Sequence, residues 1–110
     1  MPAQKNHQHK KQFGQHFLLD ASAIEKTVLA IAEVWPEGDI WEVGPGEGAL
    51  TKALLSLKRE LWVSEIDRDL HERLEQTFAG NHIHWLFGDF LKQSPPGTQQ
   101  FALVGNFPYN

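Results

Sequence analysis

Ile40-Trp41-Glu42-Val43-Gly44-Pro45-Gly46-Glu47-Gly48-Ala49-Leu50 decides the architecture of this 110-residue chain. A short apolar, partly β-branched run, Ile40 to Val43, reads as a strand. Three alternating glycines follow it, and then Leu50, Leu54 and Leu57 recur at helical spacing. A strand that passes through glycines into a helix is the junction at which doubly wound sheets bind nucleotides. The glycines let the backbone turn tightly and approach a ligand closely, and the helix that follows presents free N–H groups to a negative group.

The pattern continues outward on both sides. Residues 21 to 35 read as a helix with Ile24, Val28, Ile31 and Trp35 at helical spacing. Ser22 with Glu25 suits a capping box, Asp20 is a rival cap, and Pro36-Glu37-Gly38 ends the helix. Leu61 to Glu65 is a second strand. Asp67 opens a third helix through about Phe78, with Leu70, Leu74 and Phe78 on its buried stripe. Ile83 to Phe87 is a third strand, ending at Gly88-Asp89. A loop holding Pro95-Pro96-Gly97 leads to a fourth strand, Phe101 to Val104. Helices alternating with strands predict right-handed crossovers and a parallel, Rossmann-like doubly wound α/β sheet. The four tryptophans, Trp35, Trp41, Trp62 and Trp85, read as core or helix–sheet packing.

The composition is that of an ordinary globular chain, with 41% hydrophobic and 22% charged residues. The net charge of −4 does not by itself mark a nucleic-acid binder, because phosphate neutralisation needs Lys and Arg. The distribution says more than the sum: Lys5, Lys10 and Lys11 crowd the first dozen residues together with His7 and His9. That arm is either a solvated tail or an RNA contact. Cysteine is absent, which excludes a disulfide framework and fits a reducing compartment. No apolar run approaches the roughly 20 residues of a membrane span, and the polar N-terminus is no secretory signal, so a cytoplasmic location is expected.

Two cofactors compete for the glycine loop. Gly44-x-Gly46-x-x-Ala49 matches a degenerate dinucleotide fingerprint. Glu42-x-Gly44-x-Gly46-x-Gly48 resembles the first motif of S-adenosylmethionine methyltransferases. Glu65 ends the second strand about 20 residues further on, where a carboxylate accepts from ribose hydroxyls in either case. Asp89 separates them, because in methyltransferases an acid there accepts from the adenine amino group of the cofactor; its plain alternative is a turn former.

Asn106-Phe107-Pro108-Tyr109 follows the fourth strand and resembles the Asn-Leu-Pro-Tyr motif of ribosomal RNA adenine N6-dimethyltransferases. Lys11-Gln12-Phe13-Gly14-Gln15-His16-Phe17-Leu18 resembles the Phe-Gly-Gln-Asn-Phe-Leu segment of the same family, which folds over the cofactor. His16 stands where that family has Asn, and imidazole can donate or accept one hydrogen bond in place of the amide. The resemblance covers residues 11 to 110, with five motifs in order.

It implies S-adenosylmethionine as cofactor, met by His16, Leu18, Gly44, Gly46, Glu65, Asp89 and Asn106. It implies dimethylation of adjacent adenosines at N6 in small-subunit (16S) ribosomal RNA, a step of ribosome biogenesis, without a metal or a covalent enzyme intermediate. Asn106 and the carbonyl of Pro108 would accept from the N6 amino group, and Tyr109 would stack on the flipped base. Lys10 and Lys11 are the RNA-binding candidates, and the immature 30S subunit is the expected partner. Family members continue into further strands and a helical domain, so residues 1–20 are expected to form an arm and cofactor-covering motif. Residues 21–110 are then the front part of the catalytic domain, cut after its fourth strand. That strand, bare on one side, predicts self-association of the 110-residue chain. The rival readings are a macrolide-resistance type methyltransferase of large-subunit RNA, a nicotinamide oxidoreductase, and a catalytically silent RNA-binding or assembly factor on the same fold.

Overall fold

The computed structural model describes residues 20–94 and 100–105. Helix α1 spans Ala21–Val34. Asp20 caps it: extended backbone lets the carboxylate accept from the Ser22 N–H at 2.8 Å. The Ser22–Glu25 box is therefore not formed, because Asp20, two residues before Ser22, already satisfies that donor. After Trp35, whose N–H still reaches Ile31 O, Pro36 brings no donor and the helix stops.

Strands β1 (Asp39–Val43), β2 (Leu61–Glu65), β3 (His84–Phe87) and β4 (Phe101–Gly105) form one sheet in the order β3-β2-β1-β4. Every pairing is parallel, with Trp41 opposite Trp62, Trp62 opposite His84 and Val43 opposite Gly105. Helix α2 is short, Ala49–Leu54, and a 3-10 turn over Leu55–Leu57 continues it. The three leucines thus share a face without sharing one α-helix; Lys58, in the left-handed region at φ 56°, closes the turn. Helix α3 spans Arg68–Thr77 and is capped by Asp67, which accepts from Asp69 N–H at 3.0 Å.

Alternation along the strands sends two sets of side chains to two faces. Ile40, Leu61 and Val63 form the core with Leu50 and Leu54, each at most 3% exposed, and Ile24, Val28 and Ile31 of α1 pack against them. Phe78, just past α3, reaches the same face and meets the ring of Trp85. The opposite face is aromatic. Trp41 is held edge-on between Phe90 and Phe101, with ring centroids 5.1 and 5.0 Å away. Trp62 stacks on His84. Trp41, Trp62 and Trp85 therefore pack within the sheet, while Trp35 lies against Gly38 and donates its Nε1–H to Asp39 O at 3.0 Å. Among the described residues no helix is long and apolar enough to cross a membrane.

Candidate functional site

In a parallel sheet every strand delivers its carboxyl end to one edge, and the candidate side chains collect there. The main chain continues its ladder just past the strands: Gly44 N–H donates to Ser64 O and Gly88 N–H to Glu65 O, both at 2.9 Å. Gly44, Glu65 and Gly88-Asp89 are thereby locked side by side.

The loop after β1 needs its glycines. Gly44, Gly46 and Gly48 have φ of 68°, 61° and 97°, in the left-handed region that side chains disfavour. Gly48 carries a second constraint, because a Cβ there would sit 2.6 Å from the ring of Phe78. The turn closes with Gly48 N–H on Pro45 O, and Gly48 O takes the first helical bond, from Lys52.

Glu65 is 6% exposed. One of its oxygens accepts from Gly46 N–H at 3.3 Å and the other from Asp67 N–H at 2.9 Å. The carboxylate thus clasps the glycine loop to the start of α3, and the remaining lone pairs can accept from hydroxyls.

Asp89 is used by the fold as a turn former. Its Oδ1 accepts from Leu91 N–H at 3.0 Å and caps a 3-10 turn over Phe90–Lys92. That bond occupies one oxygen and fixes the carboxyl group at the end of β3, so the turn-forming role and an acceptor role toward an amino group are compatible. A partly buried polar chain anchors the turn from below. Trp41 Nε1 donates to Ser64 Oγ (2.8 Å), Ser64 Oγ donates to Gln93 Oε1 (2.6 Å), and Gln93 Nε2 donates to Leu86 O (3.0 Å).

Three contributors were given no role by the sequence. Gln93 is an ordinary polar loop residue until the sheet places it beneath the Asp89 turn. Gly105 has φ 139°, and a Cβ there would overlap the backbone of Val43, so β4 closes on β1 only with glycine at its end. Glu42, quoted only as the first letter of a motif, is 1% exposed and receives the hydroxyl of Thr51 at 2.5 Å. Burial pushes its carboxyl up from the ordinary 4.5 to about 8; the Thr51 bond opposes this and the charge of Glu65 adds to it. At neutral pH, Glu42 therefore sits under the glycine loop as a neutral acid.

Of the expected site residues, Gly44, Gly46, Glu65 and Asp89 are brought to one edge. Lys10, Lys11, His16, Leu18, Asn106, Pro108 and Tyr109 lie outside the described residues. The acceptor set fits an adenosine-bearing ligand: a buried carboxylate for a ribose beside the loop, and a second acid one strand further for an amino group.

A parallel sheet with a glycine loop after its first strand and an acid closing its second defines a Rossmann-like cofactor-binding α/β domain. Comparison with known proteins narrows this. The family model described as ribosomal RNA adenine dimethylase matches residues 6–110. The chain is 42% identical over 94% of its length to ribosomal RNA small subunit methyltransferase A of Hydrogenovibrio crunogenus. Against the Pseudomonas fluorescens protein of the same name it is 41% identical over its whole length. It spans 42% of the length of each of those two relatives. A crystal structure of the 23S rRNA methyltransferase ErmE superposes with a TM-score of 0.68 at 36% identity, covering 82% of this chain and 36% of that one. The chain belongs to the ribosomal RNA adenine dimethylase family.

Proposed function

We propose that the protein carrying this chain uses S-adenosylmethionine to dimethylate the N6 amino groups of adjacent adenosines in small-subunit ribosomal RNA, a cytoplasmic step of ribosome biogenesis. The observation that carries the reading is the convergence of Gly44–Gly48, Glu65 and Asp89 on one sheet edge, with β4 ending there at Gly105, one residue before Asn106. The identities to two relatives named for the small subunit support that substrate over the large one. The ErmE likeness supports the fold and the chemistry, and it keeps large-subunit RNA as the second reading.

When bound, S-adenosylmethionine supplies an electrophilic methyl group together with its own leaving group. The chain's residues hold and orient the reactants. Glu65 accepts from the ribose hydroxyls, Asp89 accepts from the adenine amino group, and His16 and Leu18 cover the cofactor. The loop of Gly44 to Gly48 would wrap the methionine part of the cofactor.

Adenine N6 is a weak nucleophile because its lone pair is delocalised into the ring. Asn106 Oδ1 and Pro108 O accept from its two N–H bonds, favour a tetrahedral nitrogen and localise the pair. Tyr109 stacks on the extruded base, and Lys10 and Lys11 neutralise RNA phosphates. Catalysis is then positioning and electrostatics, without a metal.

The test is methyl transfer by the full-length protein to undermethylated small and large ribosomal subunits, read as dimethyladenosine by nucleoside mass spectrometry. The small subunit should be the substrate. Asn106→Ala should lower the rate on the order of 10²–10³-fold, the usual effect of removing one such acceptor or donor. Methylation of large-subunit RNA alone would establish the second reading, and full activity of Asn106→Ala would remove that residue from the chemistry.

A further inference from the structure

Away from the proposed cofactor edge, two imidazoles and a carboxylate converge. Glu60 Oε1 lies 2.6 Å from His84 Nε2 and 3.4 Å from His82 Nε2. All three ligand atoms fall within 4.8 Å of one another, and this is the one such group of three His, Cys or acidic residues among the described residues. His82 and His84 are two residues apart where the chain enters β3. The rings touch edge to face at 4.7 Å. Glu60 comes from the neighbouring strand's approach, immediately before β2.

The cluster is partly preorganised. His84 is stacked on Trp62 with centroids 4.0 Å apart and planes 18° apart, which fixes its ring. The backbone of Glu60 is pinned because its carbonyl accepts from Ile40 N–H at 2.9 Å. Donor atoms about 2.0–2.1 Å from a tetrahedral ion are about 3.3 Å apart. Glu60 and His82 already have that spacing, and both are exposed enough to adjust. The short Glu60–His84 contact is a hydrogen bond whose proton an ion would replace.

We infer that Glu60, His82 and His84 form a binding site for a divalent transition-metal ion of the zinc class, a two-His, one-Glu set that leaves a position open to solvent. Imidazole ligands select zinc, nickel or copper over magnesium and calcium. The site does not serve methyl transfer. It lies at the opposite end of β2 from Glu65, roughly 16 Å away at the usual rise per strand residue. Its effect is to clip the start of β3 to the start of β2.

Zinc titration of the full-length protein by calorimetry, with magnesium present in excess, tests this. One tight site is expected in the wild type and in His7→Ala/His9→Ala, which removes the competing histidines of the N-terminal arm. Affinity should fall on the order of 100-fold in His82→Ala, whose side chain is 73% exposed, so that the fold is untouched. Zinc should raise the thermal midpoint of the wild type and not of His82→Ala. Cobalt(II) should give visible d–d absorption in the wild type that His82→Ala lacks. Absence of a one-to-one site, tight binding that survives His82→Ala, or binding that vanishes in His7→Ala/His9→Ala would each overturn the inference.

Discussion

Thr51 on α2 donates its hydroxyl to Glu42 on β1 at 2.5 Å, with both residues at most 1% exposed. A fully buried carboxyl meets its helix through a single short bond, directly beneath the glycine loop. The consequence is a dependence of stability on pH. Glu42 titrates near 8 when folded, against an ordinary 4.5. Stability from the protonated acid is complete below the lower value and is lost as pH rises through the window toward the upper one, because the unfolded chain ionises first. The slope inside the window approaches about 1.4 kcal/mol per pH unit. Glu42→Gln keeps an acceptor for Thr51 and cannot ionise. Urea unfolding at pH 5, 6.5 and 8 should show the wild type weakening with pH and the variant nearly level. Parallel profiles would mean that Glu42 is ionised in the fold.

Glu65→Gln should weaken S-adenosylmethionine binding. Both oxygens accept from main-chain N–H groups, and glutamine must turn its own amino group toward Gly46 or Asp67, donor against donor. Adding the lost charge-assisted bond to ribose, worth roughly 1.5–3 kcal/mol, affinity should drop about 10- to 100-fold. Calorimetric titration measures it. An unchanged affinity would leave Glu65 as a clasp for the loop and nothing more.

Gly48→Ala combines left-handed strain with a clash against the Phe78 ring. We expect a loss of about 2–4 kcal/mol, from backbone strain and overpacking together. Phe78→Leu in the same chain removes the obstructing ring atoms and should recover the overpacking share, so the two substitutions should be strongly non-additive in a double-mutant cycle. Simple additivity would place the whole cost in the backbone.

The fourth prediction concerns the free side of β4. Within the described residues it pairs with β1 alone, and Leu103 on it is 43% exposed. A bare apolar strand is a template for another chain. The 110-residue chain should associate with rising concentration in light scattering, and Leu103→Lys should suppress this. A monomer at every concentration would show that the edge is protected.

The strand–glycine–helix reading and the alternation that follows it were legible because periodicity and glycine chemistry are local. Ile40 to Val43, Gly44 to Gly48 and the Asp67 cap stand as read, with strand ends moved by one residue. Caps are decided by competition for the same donor, so Asp20 displaced Ser22 at α1. The α2 leucines needed the 3-10 turn because Lys58 must bend the chain back toward β2.

The sequence alone determined that β1 runs into a glycine turn and that Glu65 closes a strand about 20 residues on, the position at which nucleotide-binding folds carry a ribose acid. Only the tertiary structure decided that Glu42 is buried against Thr51, that Gln93 supports the Asp89 turn, and that Glu60 meets His82 and His84. Each of these depends on which strands lie side by side. Burial and donor–acceptor distance are properties of neighbours in space, and parallel pairing brings together residues that no local pattern connects.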